Sequence, residues 1–120
     1  MKEELWAYQK ELDRVTMDKG DLDLLSSELA DKEHIYKWML ERKKPYLAKN
    51  IENLMNETKM TFARGENRAL ACDDYKEFTN ALKAASEEYF RLKYKYDTLK
   101  ERINALRTFI SLEKEKMSLR

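Results

Sequence analysis

Few residues in this chain could do acid–base or nucleophilic chemistry, and their spacing keeps them apart. His34 is the only histidine, with Glu33 beside it and Asp31 nearby. Metal binding or proton transfer needs partners that converge, as a spacing of i, i+4 would give on a helix. Glu33 and His34 are adjacent, so on a helix they point about 100° apart. His34 therefore reads as a surface residue. Cys72 is the single cysteine and precedes Asp73 and Asp74. A helix start would lower its pKa, but the two carboxylates act in the opposite direction, and it reads as a small apolar filler. Ser26 and Ser27 have no histidine base at hand. Asp21, Asp23 and Glu28 lack the alternating loop ligands and central glycine of a calcium site, and they fit a solvated helix face. No catalytic residue, metal ligand or cofactor site is expected, and the chain is not expected to be an enzyme.

The remaining chemistry is cationic and aromatic. Arg42, Lys43 and Lys44 precede Pro45, and the run 89–96 interleaves Tyr89, Phe90, Tyr94 and Tyr96 with Arg91, Lys93 and Lys95. Single-stranded nucleic acid is held by such mixtures, with bases stacked on rings and phosphates met by cations. On a helix, Tyr89, Leu92 and Tyr96 share the inward face. That leaves Phe90, Arg91, Lys93, Tyr94 and Lys95 outside. An antiparallel hairpin would bring Arg42–Lys44 near the level of this run, as one band open to DNA or an acidic protein partner. The plain alternative is a solvated flank beside an oligomer contact.

The elements that carry these residues are helical. The chain has 120 residues but only two Gly and one Pro, whereas an average chain of this length holds about 14 of the two together. Folds needing a turn every ten to twenty residues are excluded, and so are Gly-rich phosphate cradles. From Tyr75 the apolar residues recur in steps of three and four: Phe78, Leu82, Ala85, Tyr89, Leu92, Tyr96, Leu99, Ile103, Leu106 and Ile110, continuing through Glu113 to Met117. Such a period held for six heptads predicts a long helix with a coiled-coil-like seam. Asp74 and Glu77 fit a capping box at its start. An earlier stripe runs through Leu22, Leu25, Leu29, Tyr36, Leu40, Leu47, Ile51 and Leu54, slipping in phase near Pro45. Leu5, Tyr8, Leu12 and Val15 mark a short first helix, and Asp18–Asp21 a stop followed by a new cap. Residues 63–68 are the best turn candidate.

The expected fold is thus all-α, one domain over 1–120. A short helix over 1–19 precedes a long helix over 21–63, kinked near Pro45, and another over 70–119. The two long helices form an antiparallel hairpin. Charge supports that orientation. Residues 1–34 carry 5 basic and 10 acidic side chains, 35–68 carry 8 and 4, 69–88 carry 2 and 5, and 89–120 carry 9 and 4. Antiparallel pairing lays each block against one of opposite sign. Ile35, Trp38, Met39, Phe109 and Leu112 fall beside the seams and read as a self-association face, which predicts a homodimeric helical bundle.

The stretch 62–71, Phe-Ala-Arg-Gly-Glu-Asn-Arg-Ala-Leu-Ala, leads into Tyr75-Lys76-Glu77-Phe78 and Leu82-Lys83-Ala84-Ala85. Ile103-Asn104-Ala105-Leu106-Arg107 and a charged tail through Lys116 follow. This part of the chain resembles small helical bacteriophage proteins encoded near single-strand annealing recombinases. Members commonly carry a Glu-x-x-Arg-like element near the end; here Asn104 and Arg107 occupy that spacing, a departure from the pattern, with Asn in place of Glu. The resemblance brings no catalytic signature. It implies a setting in phage DNA recombination or replication.

The functional expectation is a non-enzymatic helical binding or adaptor protein, accessory to DNA recombination or replication through a phage or host protein partner, single-stranded DNA, or both. An inhibitor or modulator of a host protein, or a structural coiled-coil assembly protein, are the alternatives. With net charge +1, one cysteine and no apolar run of membrane-span length, the chain is expected to be cytoplasmic, with no membrane contact.

Overall fold

The computed structural model describes residues 2–119, so Met1 and Arg120 of the expected helices lie outside the described residues. The fold is all-α. Among the described residues four helices follow one another: α1 (Lys2–Thr16), α2 (Asp21–Thr58), α3 (Phe62–Ala71) and α4 (Asp73–Ser118). No strand occurs among the described residues. Expected as one domain, the chain groups its contacts into two compact units, residues 1–31 with 90–120 (unit 1) and residues 32–89 (unit 2). Both α2 and α4 contribute residues to each.

In unit 1, α1 lies antiparallel to α4. The Tyr8 and Phe109 rings meet at 5.4 Å, and Glu11 accepts two hydrogen bonds from Arg102, Nε to Oε1 at 3.0 Å and Nη2 to Oε2 at 2.9 Å. That fork joins the acidic first block to the basic last one, as the charge pattern predicts. It holds the Glu11 carboxyl below its ordinary pKa, chiefly through the hydrogen bond from Arg102, and raises that of Arg102 in turn. Val15, Leu92, Ile103, Leu106 and Ile110 form the core, and Leu106 is wholly buried. Glu113 continues the seam and is buried too. Its Oε1 accepts from Lys116 Nζ at 3.3 Å, while its Oε2 has no hydrogen-bond partner.

The stop between α1 and α2 forms at 17–20, so the two helices are separate. Lys19 takes the left-handed conformation (φ 59°), the Gly20 N–H donates to the Met17 carbonyl at 2.9 Å, and Asp23 accepts from the Lys19 N–H at 3.0 Å. Gly20 is demanded by close approach. A Cβ there would sit 2.6 Å from the Arg14 carbonyl oxygen and 2.9 Å from that of Met17.

In unit 2, residues 32–58 of α2 and 73–89 of α4 run antiparallel, joined through α3. Tyr36 stacks on Tyr89 at 5.4 Å and Tyr46 on Phe78 at 4.9 Å. The expected turn at 63–68 is instead helix. The reversal starts earlier, at Lys59 in the left-handed conformation (φ 55°). Thr61 then caps α3, its side chain accepting from the Arg64 N–H. Gly65 serves packing rather than turning, because a Cβ on it would lie 3.3 Å from Met55 Cγ and 3.5 Å from Ile51 Cγ2. Ala69, fully buried, extends that contact face.

Cys72 supplies the next junction. Extended at φ −66° and ψ 141°, it donates to Ala69 to end α3 and accepts from Lys76 to open α4. The capping box expected at Asp74 and Glu77 is therefore displaced. The helix already begins at Asp73, and the two aspartates favour its N-terminal dipole from inside the first turn. The predicted α4 seam is buried or half-buried from Tyr75 through Glu113, and Met117 is exposed. The α2 stripe holds except at Leu40, which is exposed while Met39 is half-buried in its place.

Candidate functional site

Pro45 sits inside an unbroken α2. It has no N–H for the Glu41 carbonyl, which is tolerable because Glu41 is exposed and water can serve the oxygen. Around it, residues 40–45 are all exposed. At the turn where a further apolar residue of the stripe would fall, the sequence places Arg42 and Lys43 instead. Both are exposed, and Arg42 lies over the Trp38 ring and lines the space beside it.

The result is an open groove of about 730 Å³ in unit 2. Ile35, Trp38, Met39, Pro45, Tyr46 and Phe78 supply its apolar surface, and His34, Arg42 and Lys49 its polar lining. Trp38 and Ile35 remain about half exposed, at 49% and 46%. The Arg42 guanidinium lies 4.3 Å from the centre of the Trp38 ring, a cation–π contact of about 0.5–1 kcal/mol at an exposed site. The Tyr46–Phe78 stack stiffens the opposite side. Among the described residues no carboxylate lines the groove.

Of the residues expected in a self-association face, Ile35, Trp38 and Met39 come together here, in unit 2. Phe109 and Leu112 lie in unit 1, where Tyr8 already covers part of Phe109. His34, read from sequence as an isolated surface residue, lines the groove at one end. Tyr46, Lys49 and Phe78 were not foreseen as neighbours of Trp38. Periodicity along one helix reports a face, and only the register between helices shows which two faces leave a gap.

Of the expected cationic band, Arg42, Lys43 and Lys44 belong to unit 2, where the two ring pairs set them level with residues 80–83 of α4. Phe90, Arg91, Lys93, Tyr94 and Lys95 belong to unit 1 and are exposed, Tyr94 at 75%.

No cluster of three or more His, Cys, Asp or Glu is placed to hold a metal ion among the described residues. Nor is any helix among them long and apolar enough to cross a membrane. Comparison with protein-family models, with curated proteins and with solved structures finds no match to this chain.

Proposed function

We propose that the chain is a non-enzymatic helical adaptor that binds a partner protein through the groove of unit 2, as an accessory to phage DNA recombination or replication. The groove is the observation that supports this reading most directly. It is apolar, open and half-exposed at a tryptophan, the combination that partner proteins exploit for anchoring. The recombination setting rests on the resemblance of residues 62–116.

The test is direct. The full chain is mixed with a phage single-strand annealing recombinase and run by size exclusion. The expected result is co-elution at fixed stoichiometry, lost in Trp38→Ser. Separate elution of the two proteins overturns the recombinase as partner.

Contact with single-stranded DNA is a second part of the reading, supported by the exposed Phe90, Tyr94, Lys93 and Lys95. Fluorescence anisotropy with labelled single- and double-stranded DNA checks it. Binding that survives about 150 mM salt and weakens in Lys95→Glu is expected. No binding even at low salt removes DNA from the reading.

A further inference from the structure

Unit 1 shows how this chain accepts a third helix. Against α4, α1 lays an aromatic residue, Tyr8, on Phe109 and a carboxylate, Glu11, on Arg102. Unit 2 offers the same two kinds of contact with no helix supplying the other half. Its apolar floor includes Ile35, Trp38 and Phe78. Arg42 and Lys49 stand on its rim seven residues apart, which is about 10 Å along a helix. Neither cation is in an ion pair among the described residues.

We propose that the groove of unit 2 takes an acidic amphipathic helix of a partner protein, its apolar face on Trp38 and Phe78 and two carboxylates about two turns apart on Arg42 and Lys49. This rests on the reading of the chain as a binding protein and names the chemistry of what it binds. Charge selects the occupant. A second copy of the chain, docked about a two-fold axis on this groove, would set Arg42 against Arg42 or Lys49 of the other copy. The groove's own polar lining, with Arg42 and Lys49, would face itself. Like charges across a desolvated contact oppose association, whereas carboxylates satisfy the same groups. The guanidinium held over the Trp38 ring is already oriented at the rim, so less freedom is lost when a carboxylate arrives.

The test uses the full chain carrying Trp6→Phe, so that Trp38 is the only fluorophore of its kind. Synthetic helical peptides of about 20 residues present Leu and Phe on one face and Glu at every seventh position beside it. A matched set carries Lys in place of Glu. Saturable change in Trp38 emission is expected with the Glu peptides, about tenfold tighter than with the Lys peptides and weakening as salt rises. The double variant Arg42→Glu, Lys49→Glu, checked for unchanged helix content, should invert the preference.

Equal binding of both sets, or none of the Glu set, overturns the proposal. So does a concentration-dependent dimer that Trp38→Ser abolishes, which would make a second copy the occupant, or displacement of the Glu peptide by an oligothymidylate, which would make it nucleic acid. Co-elution with the recombinase together with charge-blind peptide binding would sink this inference and leave the adaptor reading intact. Glu-selective binding without recombinase co-elution would support this inference and overturn only the recombinase as partner.

Discussion

The two units solve the same packing problem with different parts. In each, an antiparallel seam leaves apolar residues beside it. Unit 1 covers part of its Phe109 with Tyr8 of α1 and secures the contact through the Glu11–Arg102 fork. Unit 2 uses its third helical segment, α3, to close the end of the pair, with Gly65 and Ala69 against α2. The flank at Ile35, Trp38 and Phe78 stays open. A third helix stabilises the seam wherever it lands, but only its placement decides whether a side face is partly covered or left open.

The strongest way to break the comparison is to damage the closed unit. Leu106→Ala removes a wholly buried side chain and should cost about 3 kcal/mol in urea unfolding. The junctions come next. Gly20→Ala forces a Cβ onto two carbonyl oxygens and should cost about 2 kcal/mol. Gly65→Ala meets Met55 Cγ at 3.3 Å, which must give by a few tenths of an ångström, and Ile51 at ordinary contact distance. Better helix propensity offsets this, and stability should stay within about 1 kcal/mol of the parent. If both glycine variants fall equally, the distinction between the two junctions fails.

Glu113→Leu sharpens the contrast in the other direction. The residue occupies a seam position with one carboxylate oxygen unpaired, so an apolar replacement should stabilise by about 1 kcal/mol. A loss on urea titration would mean that the Lys116 contact matters more than the buried oxygen.

A smaller, pH-dependent effect belongs to the Glu11–Arg102 fork. Because Arg102 lowers the folded-state pKa of Glu11, the stabilisation is complete above the ordinary carboxylate range. It disappears as pH falls through the depressed folded value. Arg102→Gln should therefore melt earlier than the parent at neutral pH, and the two should converge in acid. Smallest of all is Trp38→Ser in the open unit, expected within about 0.5 kcal/mol of the parent. A larger thermal shift would show that the groove residue is part of the core.

Much of this architecture was legible in the sequence, because a seam is written in one helix at a time. The steps from Tyr75 to Glu113 carry their own period, and that whole line is buried or half-buried. Junctions were less legible. Gly65 drew the expected turn to 63–68, yet Lys59 and Lys19 hold the left-handed positions, and lysine carries no sign of that conformation. The Asp74 box failed because Cys72 caps two helices at once. Leu40 misled for a related reason. The phase slips before Pro45, and Met39 takes up the inward place. The candidate site was half visible. Its tryptophan and isoleucine stood out as surplus apolar residues, but their juxtaposition with Phe78 depends on interhelical register.

One feature of the chain's layout bears on how it reaches this fold. Unit 2 is a single uninterrupted stretch, residues 32–89, whereas unit 1 is assembled from both ends of the chain. During synthesis, everything unit 2 needs exists before the first residue of 90–120 is made. Unit 1 must then be closed by contacts of long sequence separation, such as Tyr8 with Phe109. Loop-closure entropy makes these slow to form, and docked unit 2 shortens the span that has to be bridged. The half that exposes the apolar groove is thus the half able to form first, and the half built from distant segments is the one that waits.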